Sequence, residues 1–147
     1  MTAALDLASV FIDRLARLLE VQPDLAGVQI LKPEAGEQTR TPFLRIQAEV
    51  QGPASGWEGS AHRGVWTLYC WVTVVTARAD TQAGVLRNLE ASVRDVLFAE
   101  HQAGYANLTN STFKVWQIEF DPIEYQQDDS HDARAQPMRV HCAVFTA

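Results

Sequence analysis

Apolar residues recur at helical spacing in two stretches of the chain. Between Leu5 and Leu19 they fall three or four positions apart, and charged residues occupy the opposite side of the helix. A second stretch, from Thr81 to Leu97, has the same periodicity and follows Asp80, a residue suited to capping a helix. Its apolar stripe is Val85, Leu89, Val93, Val96 and Leu97, and the helix should end near His101 to Gly104. The pattern predicts two amphipathic helices, each packed by one face. The first should end near Pro23, because proline disfavours helical conformation in the residue before it.

Alternation of apolar and polar residues indicates strands between and after the helices. The longest runs from Arg63 to Thr76 and is apolar on both faces, so both faces need covering. The remaining strands are Val28–Leu31, Leu44–Val50, Phe113–Phe120 with Lys114, Trp116, Ile118 and Phe120 on one face, and Met138–Val144. The pattern predicts an α+β fold of order α-β-β-β-α-β-β, and 147 residues suit a single domain over residues 1–147.

The aromatic residues divide into expected core residues and expected interface residues. Trp66 with Leu68, and Trp116 with Phe120, are interpreted as core. Tyr69 and Trp71 point to the reverse face of the long strand, which needs a second layer. That layer is either a helix of this chain or the surface of a neighbouring subunit.

Two polar segments are predicted to be loops. Gln51–Ala61 is rich in Gly, Ser and Pro and carries Trp57, which is a candidate interface anchor or else folds back on its own domain. Gln126–Arg134 is interpreted as a solvated loop. It holds Asp128, Asp129 and His131, whose spacing matches no EF-hand or zinc pattern, so no metal site is predicted.

Composition and motifs narrow the functional classes. The net charge of -6 and only two lysines argue against a nucleic-acid-binding protein. The first twenty residues match neither a signal peptide nor a membrane span, and Cys70 and Cys142 are expected to be buried thiols. His141 and Cys142 are strand neighbours that point to opposite faces, so they do not form a catalytic pair. With no phosphate loop, nucleophile elbow or zinc-protease motif, the sequence predicts no catalytic residue and no cofactor.

The order of elements resembles a known family over nearly the whole chain. The similarity lies in a first helix ending in Gln22–Gly27, the aromatic strand Trp66–Val74, the helix Thr81–Leu97, and the closing pair Phe113–Phe120 and Met138–Phe145. This layout is similar to that of the tail terminator proteins of tailed bacteriophages, and related neck and minor tail proteins share it.

The resemblance implies a fold, an assembly and a set of partners. It implies a mixed, mostly antiparallel sheet of four to five strands with two helices packed on one face. It further implies a hexameric ring at the end of the tail tube, which stops tube polymerisation and contacts the neck or connector proteins. Such a protein belongs to the virion, is assembled in the cytoplasm of the bacterial host, and has no membrane partner. The family offers no catalytic residues.

Two other functional classes remain open from the sequence. One is a small α+β module that binds a ligand in a pocket behind the sheet, and the other, less favoured, is an enzyme with dispersed catalytic residues. A ring-forming protein should self-associate, whereas a pocket protein should stay small and be stabilised by its ligand. The candidate contact residues for assembly are Trp57, Tyr69, Trp71, Asp128, Asp129 and His131.

Overall fold

The computed structural model describes residues 6–33, 42–53, 65–77, 83–127 and 131–144 of the chain. These residues contain two α-helices, α1 (Leu7–Glu20) and α2 (Ala83–Gln102). They also contain six strands: β1 (Gln29–Leu31), β2 (Phe43–Pro53), β3 (Val65–Ala77), β4 (Phe113–Phe120), β5 (Glu124–Gln127) and β6 (His131–Val144). A short 3-10 turn, Pro23–Leu25, follows α1 at the predicted end of that helix.

The described strands form one sheet in the order β1-β2-β3-β6-β4, and β5 also pairs with β6. β1 runs parallel to β2, and every other pairing is antiparallel. β4 pairs with the second half of β6 and β5 with its first half, so both lie on the edge of β6 away from β3. The predicted α+β fold with a mixed, mostly antiparallel sheet is confirmed, with six strands where four to five were expected.

Helix α1 packs along one apolar stripe. The Asp6 carboxylate accepts a hydrogen bond from the Ser9 backbone N–H at 3.0 Å, which caps the helix. Its buried side chains lie three or four positions apart, on one face of the helix: Leu7, Phe11, Ile12, Leu15, Ala16 and Leu19. The predicted amphipathic helix is therefore present over Leu7–Glu20.

Helix α2 ends where predicted but buries a slightly different stripe. Leu86, Leu89, Val93 and Leu97 are buried, whereas Val85, which the periodicity assigned to the buried stripe, is 39% exposed. The helix ends at Gln102, within the predicted range His101–Gly104. Its proposed cap, Asp80, lies outside the described residues.

Both helices pack on the same face of the sheet. The inward side chains of β2 and β3 join those of β6 and of both helices in one hydrophobic cluster, which includes Leu44, Ile46, Leu68, Cys70, Met138 and Val140. Burial of this apolar surface is the main force that holds the helices on the sheet. The predicted placement of two helices on one face is confirmed.

The prediction that Trp116 and Phe120 of β4 belong to the core was wrong. The pairing register with β6 shifts between Val115 and Gln117, which indicates a β-bulge at Trp116. Phe113, Val115 and Ile118 are therefore the buried residues of β4, whereas Trp116 is 47% exposed and Phe120 is 39% exposed. Trp116 is not a core residue, because it follows the inward-pointing Val115 and packs against His141 on the opposite face. Phe120 shares the face of Ile118 but lies on the edge strand, so it is only partly covered.

The polar run Gln126–Arg134 is not a loop over most of its length. Gln126 and Gln127 belong to β5, and β6 already begins at His131. The two strands pair from Glu124 with Ala135 to Gln127 with Asp132, which makes the run the end of a hairpin. Composition misled the prediction, because edge strands often carry polar side chains on both faces.

Candidate interface on the open face of the sheet

Every second residue of β2, β3 and β6 forms a sheet face opposite the helices. In β3 these outward residues are Thr67, Tyr69, Trp71, Thr73 and Val75, and the pairing register aligns them in rows across the neighbouring strands. Both described helices pack on the other side. No described helix covers this surface, which we call the open face.

Tyr69 and Trp71 form a ridge in the middle of the open face. Their ring centroids lie 5.3 Å apart with the ring planes at 47°. Trp71 lies between Gln47 of β2 and Pro137 of β6 in the pairing register, and both aromatic side chains are half-buried. Two aromatic rings are thus presented side by side on a surface without a covering helix.

The Tyr69 hydroxyl is held in its neutral form. Desolvation raises the pKa of Tyr69, and the negative charges of Asp121 and Glu124 raise it further, while Arg139 acts in the opposite direction. Arg139 is itself paired with Asp121, at 3.0 Å between Nη2 and Oδ1. The hydroxyl therefore remains a hydrogen-bond donor at neutral pH and above.

A groove of about 410 Å³ lies beside the ridge. Its floor is formed by small side chains, Thr73, Val75 and Ala133. Longer side chains form its sides, with Phe43, Arg45 and Gln47 from β2 and with Gln126, Gln127 and His131 from the β5–β6 hairpin. The groove exists because short side chains occupy the central strands while long ones flank them. Its volume lies within the range of about 300–1,000 Å³ that small-ligand sites occupy.

Arg45 and Glu49 are charged residues of the open face without a polar partner in the described part of the chain. The guanidinium of Arg45 lies 5.9 Å from the ring centroid of Phe43, and it forms no hydrogen bond or ion pair with another described residue. Arg45 is half-buried in the side of the groove, whereas Glu49 is exposed beside Tyr69. Both charges are therefore available to a molecule that covers this face.

Thr67, His141 and Glu119 form a hydrogen-bonded chain near the far end of the open face. His141 Nδ1 lies 3.0 Å from Thr67 Oγ1, and His141 Nε2 lies 2.5 Å from Glu119 Oε1. The Trp116 ring packs against the imidazole with centroids 5.4 Å apart. A proton on Nε2 lets the imidazole donate to the carboxylate while Nδ1 accepts from the hydroxyl, so all three groups are satisfied.

A hydroxyl, an imidazole and a carboxylate also occur together in nucleophilic hydrolases. Here their burial and strand positions indicate a structural network. A nucleophile must reach a substrate, and Thr67 is only 7% exposed and is absent from the lining of the groove. His141 lies on β6, which is next to β3, and Glu119 lies on β4, which is next to β6. The hydrogen bonds therefore link the three strands β3, β6 and β4. We assign these residues to stability.

A second exposed aromatic patch lies on the helix side, where α2 meets the β4 edge. Phe98 and Phe120 pack edge to face with centroids 5.9 Å apart, and they are 49% and 39% exposed. The Phe98–Phe120 patch was not predicted from the sequence, because Phe120 was assigned to the core. The signal present in the sequence was Phe98, a large apolar residue adjacent to the buried stripe of α2.

The candidate contact residues fall in three places. Tyr69 and Trp71 are brought together as the ridge, and His131 lies in the side of the groove. Trp57, Asp128 and Asp129 lie outside the described residues. Arg45, Gln47 and the small residues of the groove floor were not singled out from the sequence, because a row across a sheet appears only once the strand order is known.

The two cysteines are buried free thiols, as expected. Burial raises the pKa of Cys142 to about 12, and it raises the pKa of Cys70 well above the ordinary thiol value. Neither sulfur is therefore a thiolate at neutral pH. Within the described ranges, no three His, Cys, Asp or Glu residues are grouped so that they could hold a metal ion. The helices in those ranges include none long and apolar enough to cross a membrane.

Comparisons with known proteins give no family. No family model matches the chain. No curated protein sequence matches it either. Solved structures do match the chain, and one of them superposes with a TM-score of 0.47 at 14% identity, over 95% of this chain and 93% of its own. That similarity is too low to support an argument about function.

Proposed function

We propose that this chain is a structural subunit of a tailed-bacteriophage virion, a tail terminator or head–tail joining protein. In this proposal, copies of the chain assemble as a ring that caps the tail tube, after synthesis in the bacterial cytoplasm. The observation that supports it is the open face, on which the Tyr69–Trp71 ridge has no described helix to cover it.

An uncovered sheet face with central aromatic residues favours an assembly function. Tyr and Trp are the residues most enriched at the energetic centres of protein interfaces, because they bury a large area and lose little conformational entropy. The ridge is surrounded by polar and charged side chains, including Glu49, Arg139 and Gln47. An aromatic centre with a polar rim is the usual composition of a contact between subunits.

The second aromatic patch suits a protein that binds more than one neighbour. A subunit of a ring on a tube must contact its own copies and also other virion proteins, and these contacts use different surfaces. The Phe98–Phe120 patch lies on the helix side, away from the open face. We assign the open face to self-association and the Phe98–Phe120 patch to the tube or neck proteins. The negative net charge agrees with a protein that does not bind DNA.

The groove favours a second candidate function, a small-ligand-binding module. Its volume suits a small molecule, and Arg45 and Gln47 provide polar contacts beside an apolar floor. A ligand that fills the groove should raise the melting temperature of a protein that stays monomeric. A concentration-dependent increase in mass without any ligand argues for assembly instead.

The proposed function is tested by the solution mass of the purified chain. We expect light scattering over a hundredfold range of concentration to show a closed species near six copies, and negative-stain electron microscopy to show rings with an open lumen. A mass that remains that of a monomer at every concentration contradicts the proposal, and it moves the ligand-binding function to first place.

A further inference from the structure

We propose that the Tyr69–Trp71 ridges of two copies pack against each other, so that the groove of each copy receives Tyr69 of the other and Arg45 of each copy faces Glu49 of the other. This inference rests on the self-association in the proposed function, and it specifies which parts of the open face meet. The groove and the ridge are adjacent on the same face, one formed by short side chains and the other by aromatic rings. The open face is therefore complementary to a second, reversed copy of itself.

The spacing of packed sheets determines which side chains of two copies can face each other. Two sheets that pack face to face lie about 10 Å apart, so tall side chains of one must enter low regions of the other. Thr73, in the groove floor, lies two residues from Trp71 on the same strand, or about 7 Å. A second copy with reversed strand direction, centred on the row that contains Trp71, places its Tyr69 ring over Thr73 and its Trp71 ring against Trp71 of the first copy.

The charges agree with the same arrangement. Arg45 and Glu49 lie on the outward side of β2, about 13 Å apart and on either side of Gln47. Reversal of the strand direction about the Gln47 row exchanges their positions, so that Arg45 of each copy meets Glu49 of the other. An ion pair of this kind forms twice in a reciprocal contact.

Arg45 gives a reason why the groove requires an acidic occupant. Its guanidinium has no described ion-pair partner, and covering the groove with an apolar surface would leave a buried charge unpaired, which is costly. The groove is lined by no acidic side chain among the described residues, so the anion must come from the occupant. Glu49 of a second copy supplies it, because it is exposed and has no described partner of its own.

The test uses two charge-reversal variants, Arg45→Glu and Glu49→Lys. Each variant alone places like charges against each other, so we expect its self-association to weaken at least tenfold by light scattering or analytical ultracentrifugation. When the two variants are mixed in equal amounts, each contact again joins a cation to an anion. The mixture is expected to recover association to within about threefold of the wild type.

A matched control separates the contact from general charge effects. Arg87→Glu makes the same charge change at an exposed position of α2, far from the open face, and should leave association unchanged. Circular dichroism and thermal melting check that all three variants are folded. Recovery on mixing requires that the two sites meet across copies, which an effect of net charge alone does not produce.

The outcomes distinguish this inference from the proposed function. If the wild type associates but the mixture stays as weak as the single variants, the pairing of Arg45 with Glu49 is wrong while self-assembly stands. If the wild type never associates, both fail. A reciprocal contact closes at two copies, so a ring of six requires a second, different contact between such pairs. A recovered species of two copies supports the contact and contradicts the ring, whereas a recovered species near six copies supports both.

Discussion

At the scale of single residues, the hydrogen bond between His141 and Glu119 should make the fold less stable as the pH falls into the acid range. The hydrogen bond from His141 holds the pKa of Glu119 below its usual range, and the positive charge of Arg139 adds to this effect. A group whose pKa is lowered in the folded state stabilises the fold above its unfolded pKa, about 4.3 for Glu, and loses this contribution as the pH falls through the folded value.

This linkage gives the first prediction. The free energy of unfolding of the wild type should fall between pH 5 and pH 3 more steeply than that of Glu119→Gln, which has no carboxylate to protonate at this position. Urea unfolding at intervals across this range measures both slopes. Equal slopes would show that the hydrogen bond does not favour the ionised carboxylate.

The thiols provide a second prediction at this scale. Because burial disfavours their ionised forms, Cys70 and Cys142 should not react with a thiol-specific disulfide reagent in the native protein at pH 8. Two equivalents should react within minutes in strong denaturant. The raised pKa values also make the folded state lose stability as the pH rises above the ordinary thiol value. Rapid reaction of either thiol in the native protein would show that its surroundings open readily.

At the scale of secondary-structure elements, the segment after α2 closes part of the sheet edge. The Ile118 backbone N–H donates to the Tyr105 hydroxyl at 3.3 Å, and the Val115 N–H donates to Thr109 Oγ1 at 3.2 Å. Tyr105 reaches this place through a left-handed backbone conformation, with φ of 60° just after Gly104. Side-chain hydroxyls therefore occupy donors of β4 that another strand would otherwise bind.

Removal of the Tyr105 hydroxyl tests this edge protection. Tyr105→Phe keeps the ring but leaves the buried Ile118 N–H without its acceptor, which should cost about 1–3 kcal/mol of stability. The variant should also aggregate faster at high concentration, because β4 then presents a free donor. Denaturant unfolding and turbidity measure the two effects, with Tyr125→Phe, in an exposed position, as the matched control. An unchanged stability would exclude a role for this hydroxyl.

The sequence predicted the elements whose periodicity is regular. Helix α1 and strand β3 were identified correctly, because their apolar residues repeat at 3.6 and 2 positions without interruption. The buried face of strand β4 was predicted wrongly because of its bulge, where one extra residue at Trp116 reverses the alternation. Strand β5 was not predicted, because its four residues are all exposed and form no apolar pattern.

At the scale of the whole molecule, the ridge of the open face could be predicted from the sequence, but the groove could not. The double-sided apolar pattern of β3 indicated that Tyr69 and Trp71 needed a second layer, and the described helices do not supply it. The groove was not predictable, because its residues come from β2, β3, β6 and β5. Their assembly depends on a strand order in which β6, the last strand of the chain, inserts between β3 and β4.

A second copy should cover the ridge on the open face, and the substitution Trp71→Arg places a charge at the centre of that contact. Trp71 is half-buried on a surface without a described covering helix, so the variant should fold with nearly normal circular dichroism. The matched control is Phe98→Arg, which changes an exposed aromatic residue on the helix side.

The measurement is the mass by light scattering of the wild type, Trp71→Arg and Phe98→Arg at the same concentration. We predict that the wild type and Phe98→Arg form the same assembly and that Trp71→Arg is a folded monomer. An assembly of unchanged mass in Trp71→Arg would show instead that the ridge takes no part in self-association.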